Sequence, residues 1–103
     1  MATQNLFLRP RPKRPFSPGR TVMTLGVDAL VQQGRLNPIP YLRRHLGGDW
    51  GDLSDNDRRK NDAALKSGRD RLFSSYEVRQ NLKLWIITEW NRSATTLMLP
   101  GEY

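Results

Sequence analysis

The chain has no cysteine, which removes disulfides, thiolate metal sites and a cysteine nucleophile together. Histidine occurs once, at His45. A zinc site would then rest almost wholly on carboxylates, so no metal is assigned. Apolar runs are short: Leu84–Ile87 is among the longest, far below the ~20 residues that cross a bilayer. The opening MATQNLFLRPRPKRP holds no uninterrupted apolar stretch of the signal-peptide kind. These absences predict a soluble, cytoplasmic protein without membrane association. No G-x-G-x-x-G is present, and no cofactor is expected. Acids, finally, are missing from residues 1–20.

What is present is one small basic domain. The 103 residues support a single domain with a limited core. Net charge is +7, and five of the seventeen cations, Arg9, Arg11, Lys13, Arg14 and Arg20, fall in that acid-free start. The remaining twelve face ten acids, so the body is close to neutral. Pro10, Pro12, Pro15 and Pro18 fix φ and remove backbone donors there, which favours extended chain. Residues 1–19 are read as a flexible basic Pro-rich arm and residues 20–103 as one α+β domain.

Along the body, Arg20–Thr24 reads as a short strand or extended lead-in, with Thr24 an N-cap for a helix over 25–33 that stops at Gly34. Pro40 suits the first turn of a second helix over 41–46, ended by Gly47-Gly48. Ser54 and Asp57 form a capping pair for a third helix over 55–66, stopped by Gly68. From Arg71 the apolar period changes to two: RLFSSYEV, LKLWIITE and ATTLMLP alternate, with hairpin turns at Arg79–Asn81 and Trp90–Ser93. The expectation is three short helices packed on a C-terminal three-stranded antiparallel meander, with Ala94–Leu99 as a free sheet edge able to pair between subunits.

His45 followed by GDWGDLSDNDRRKNDAAL, the LFSSYEV strand and WIITEWNRSATTLMLPGEY resemble a family of small bacterial proteins carried by plasmids, integrative elements and prophages. The family pattern is a histidine before GDWGD, then N and AL in the next helix, an LxSxY strand and WIITExxRSxTTxLLPxEY. The match spans roughly residues 20–103, with a departure at Trp90-Asn91, where the pattern has a small residue and an acid. The resemblance implies an accessory protein of a mobile genetic element and supplies no established biochemical activity.

Three constellations frame the function. His45, Asp49 and Asp52 lie around a glycine-rich turn. Acid–base chemistry is weighed there against turn architecture, and Asp49, Trp50 and Asp52 are assigned to the turn. Glu89 and Arg92 are placed to pair across the second hairpin, and with Trp85 and Trp90 they make the candidate partner-binding surface. The cations Arg9, Arg11, Lys13, Arg14 and Arg20 are the candidate nucleic-acid contacts, positioning on phosphates without reading sequence. No catalytic residue is assigned. The leading expectation is a non-enzymatic interaction protein of a mobile element, in one form an inhibitor of host defence of the anti-restriction or anti-CRISPR type. The alternative is a nucleic-acid-binding accessory protein or regulator acting through the arm. A third is a ribonuclease resembling RelE-like toxins, using Arg71, Tyr76, Lys83 and Arg92.

Overall fold

Local signals act where they are expected. In the computed structural model, which describes residues 15–103, strand β1 (Arg20–Met23) is followed by helices α1 (Leu25–Gln32), α2 (Ile39–Leu46) and α3 (Asp55–Ser67). Strands β2 (Leu72–Arg79), β3 (Leu82–Thr88) and β4 (Ala94–Met98) follow, then a short 3₁₀ turn, Pro100–Glu102. The Thr24 side chain accepts from the Val27 N–H and the Ser54 side chain from the Asp57 N–H, each satisfying an orphan donor of a helix start. Pro40 sits in the first turn of α2. Gly68 ends α3 at φ 70°, a left-handed position where a side chain would be strained.

The architecture is α+β, but the sheet differs from the expected three-stranded meander. It has four strands in the order β1-β4-β3-β2. Strands β2, β3 and β4 form the antiparallel meander, while β1 lies parallel to β4 in the register Arg20↔Ala94 to Met23↔Leu97. The Arg20 N–H bonds the Ser93 carbonyl and the Thr24 N–H bonds the Leu97 carbonyl, both at 3.0 Å. Strand β4 is therefore interior and offers no free edge. Four residues with a single half-buried position, Val22, carry too little alternation to announce such a pairing.

The alternation in β2–β4 sorts the side chains onto two faces. Leu84, Ile86, Leu97 and Tyr76 pack with Val27 of α1 and Leu36 into the main core. Trp50, Ala64 and Leu72 form a second cluster, with Phe16, Leu53 and Leu65 against it. The other face carries Phe73, Trp85, Thr96 and Met98, all half-buried. Residues 15–19, read from the sequence as part of the arm, sit against the body. Phe16 stacks on Trp50 at 6.4 Å, and the Pro18 carbonyl accepts from Thr95 Oγ1 at 2.7 Å. Arg9, Arg11, Lys13 and Arg14 lie outside the described residues.

Candidate functional site

The glycine-rich segment after α2 closes one edge of the sheet. Gly51 bridges to Ser75 of β2, with the Ser75 N–H donating to the Trp50 carbonyl at 3.2 Å and the Asp52 N–H to the Ser75 carbonyl at 2.7 Å. On one side of this bridge Asp52 Oδ2 accepts the Glu77 N–H at 2.7 Å. On the other, the Asn61 side-chain amide bonds both the N–H and the carbonyl of Phe73. Five backbone groups that would otherwise face outward from β2 are thus satisfied by a loop and two side chains. Gly51 has to be glycine: its φ is 77°, and a Cβ would stand 2.0 Å from the Ser75 carbonyl oxygen.

Asp49, Trp50 and Asp52 each have a partner in this closure. Asp49 forms an ion pair with Arg44 at 2.7 Å and accepts the Gly51 N–H at 3.0 Å. The Arg44 hydrogen bond holds the Asp49 carboxyl below its usual range, against a smaller opposing effect of burial. Trp50 Nε1–H donates to Asp62 at 2.9 Å. The Tyr76 hydroxyl donates to the Asp49 carbonyl at 2.6 Å, and burial pushes its phenol well above the ordinary value. Among the described residues no three His or carboxylate side chains converge on a common point.

His45 is separated from Asp49 and Asp52 and sits fully buried under the sheet. Its Nδ1 lies 2.5 Å from Ser74 Oγ and its Nε2 2.9 Å from Thr88 Oγ1. Thr88 Oγ1 is 2.7 Å from Thr95 Oγ1, which donates to the Pro18 carbonyl. The directions in this chain follow from its last member. A carbonyl only accepts, so Thr95 donates to Pro18 and must accept from Thr88. Thr88 then accepts from His45, which places the imidazole proton on Nε2. Nδ1 is left to accept from the Ser74 hydroxyl. Burial alone lowers the His45 pKa to about 4, so the ring is neutral near pH 7.

The hairpin between β3 and β4 is held from below by Arg92. Its guanidinium donates to the carbonyls of Asp70, Glu89, Trp90 and Ala64, the last at 3.0 Å, and lies 5.9 Å over the Phe16 ring. Arg92 itself adopts φ 61°. The expected side-chain pair between Glu89 and Arg92 does not form, because four carbonyls converging at the base of the hairpin take up the guanidinium. Burial lowers the Arg92 pKa. Glu89 and Trp90 stand exposed at the tip, Trp90 at 62%.

The candidate partner set therefore divides. Glu89, Trp90 and Arg92 share the hairpin. Trp85 lies on the outer sheet face, between Phe73 at 5.1 Å and Tyr103 at 5.8 Å. Arg20 starts β1 opposite Ala94. The ribonuclease set does not assemble: Tyr76 is fully buried, Arg92 is bound to carbonyls, and Arg71 lies over Tyr103. Sequence reasoning gave no site role to Asn61, Ser74, Thr88 and Glu102, and took Thr95 as a strand residue beside the second hairpin. The Glu102 carboxylate accepts from Thr24 Oγ1, from the Gly26 N–H at 2.9 Å and from the Leu99 N–H at 2.8 Å. It ties the 3₁₀ turn to the start of α1, where its charge suits the helix dipole. Comparison with protein-family models, with curated proteins and with solved structures finds no match.

Proposed function

We propose that this chain is a non-enzymatic binding protein that acts by occupying a surface of a protein partner, with Trp90 as its anchor. The observation that carries the reading is a large aromatic side chain left 62% exposed on a hairpin tip whose backbone carbonyls are bonded by Arg92. Tryptophan offers much contact area for little conformational entropy and dominates many interface hot spots. Groups with chemical potential are engaged elsewhere. His45 is buried and neutral, Ser74 is bonded to it, and the Tyr76 hydroxyl is tied to a backbone carbonyl.

Charge supports a partner with an acidic rim. Phe16 lies under Arg92, and Gly19 packs so closely on the carbonyls of Arg92 and Ser93 that a Cβ there would clash at 2.4 Å. Residues 16–19 therefore run beside this hairpin, and the sequence that precedes them carries Arg9, Arg11, Lys13 and Arg14. Cations around an apolar anchor raise the association rate with an acidic surface and orient the encounter. In the mobile-element setting implied by the resemblance, the partner is a component of host defence, and binding blocks its working surface.

The test is an affinity capture from a host carrying restriction and CRISPR systems, with the full chain and its Trp90→Ala variant as paired baits. A protein retained by the first and lost from the second supports the reading. Identical recovery by both, with both folded, overturns it.

A further inference from the structure

The outer face of the sheet has a different character from the hairpin tip. Helices α1 and α2 pack on the opposite side, over the core that contains Tyr76, Leu84 and Leu97. Three rings share the outer face, with Trp85 touching the other two: Phe73 on β2, Trp85 on β3, and Tyr103 after the 3₁₀ turn. Successive centroids are 5.1 and 5.8 Å apart, and each pair meets edge to face. Tyr103 is outermost, 69% exposed, with the Arg71 guanidinium 5.7 Å from its ring.

Cations outnumber acids on this face. Arg71, Lys83 and Arg20 are exposed around it. Among the strand residues of the face the only acid is Glu77, which pairs in register with Lys83. The Glu102 carboxylate is turned away to Thr24, Gly26 and Leu99. At its β2 side the face continues into a cleft of about 550 Å³ between Phe73 and α3, lined also by Arg71, Lys60, Asp57 and Asp70.

We propose that this face binds single-stranded nucleic acid, with bases stacking along Tyr103, Trp85 and Phe73 and phosphates meeting Arg71, Lys83 and Arg20. Every base has a π face, so a group of rings beside cations recognises unpaired nucleotides with little regard to sequence. A duplex hides those faces in its base stack. An acidic protein would meet the cations but would leave the stacking surfaces unused. The cleft is of a size that accepts one base turned out of the strand. This site is separate from Trp90 and does not depend on the partner reading.

Fluorescence anisotropy of a labelled oligouridylate, titrated with the full chain at low salt, tests it. Saturable binding is expected, with log affinity falling against log salt. Tyr103→Ala and Lys83→Gln, both at exposed positions and each confirmed folded by circular dichroism, weaken binding roughly tenfold or more. An unlabelled duplex or polyglutamate competes far less well than unlabelled oligouridylate. Four results overturn the proposal: no saturable binding, polyglutamate competing as well as oligouridylate, affinity unchanged in both variants, or affinity lost on removing residues 1–14 while Tyr103→Ala has no effect.

Discussion

Lowering the pH from neutral should destabilise this protein through His45. In the folded chain the ring is sealed between Ser74 and Thr88 with no carboxylate beside it, and burial sets its pKa at about 4 against 6.5 for the free side chain. The unfolded chain accepts a proton that the folded one refuses, so stability falls as the pH drops below about 6.5 and stops falling once both forms are protonated, below about 4. The full difference corresponds to about 3 kcal/mol. Between about pH 7.5 and about pH 5 the loss is about 2 kcal/mol, which moves the urea midpoint by roughly 1–2 M for a domain of this size. Asp49 and Glu102 have lowered pKa values, so their contributions disappear only below the ordinary carboxylate range and lie outside this window. Urea unfolding followed by tryptophan fluorescence at the two pH values reads the shift. The His45→Gln protein, less stable throughout, should show almost no difference between them. A wild-type midpoint that does not move, or an equal shift in His45→Gln, refutes the reasoning. Long-range proton–nitrogen spectra of the wild type should also place the neutral proton on Nε2, and a proton on Nδ1 would contradict the direction assigned to the hydroxyl chain.

Asn61→Leu leaves the Phe73 N–H and carbonyl unpaired at the β2 edge and should cost about 2–4 kcal/mol in urea unfolding. Light scattering should then show association through the opened edge, and a variant as stable and monodisperse as the wild type would contradict the edge-closing role. Gly51→Ala forces a Cβ onto the Ser75 carbonyl at positive φ, with an expected loss of about 3 kcal/mol or more; a thermal midpoint near wild type would count against it. Trp90→Ala should stay within about 0.5 kcal/mol of wild-type stability. Arg92→Ala, which abandons four carbonyls, should lose about 2 kcal/mol or more. Equal stability of the two variants would mean that the hairpin is not held from below.

The helices and the meander were legible because their signals are local. Thr24, Ser54, Pro40 and Gly68 act within one turn of their own positions, and the period-two alternation from Leu72 onward fixes which side chains share a face. The parallel pairing of β1 with β4 was not legible. It depends on backbone bonds between residues more than seventy positions apart, and the side chains of Arg20–Met23 hardly alternate in burial. The hydroxyl chain was hidden for a related reason. Ser74, Thr88 and Thr95 each look like ordinary strand residues, and only the register Thr88↔Thr95, together with a histidine from α2, makes them one system. Arg92 was read as a partner for Glu89 because charge invites a charged partner, whereas the folded hairpin base presents it with carbonyls. Trp90 was visible as a candidate, and only the coordinates separate its hairpin from the face that carries Trp85.

The residues that make the sequence distinctive are mostly those with structural tasks. Asp49, Gly51, Asp52 and Asn61 close β2, Glu102 caps α1, and Arg92 props the hairpin. A sheet so carefully closed at one edge is asymmetric, because the outward groups of β1, at Thr21 and Met23, bond to none of the described residues, and both residues are exposed. Four residues make a short edge, a length that by itself discourages unwanted pairing. The recognition proposed above would then fall to exposed side chains: Trp90 at the tip, and Tyr103, Arg71 and Lys83 around the outer face. Substitutions at those four positions should change what the protein binds with little change in its stability, while substitutions in the motif segments should do the reverse.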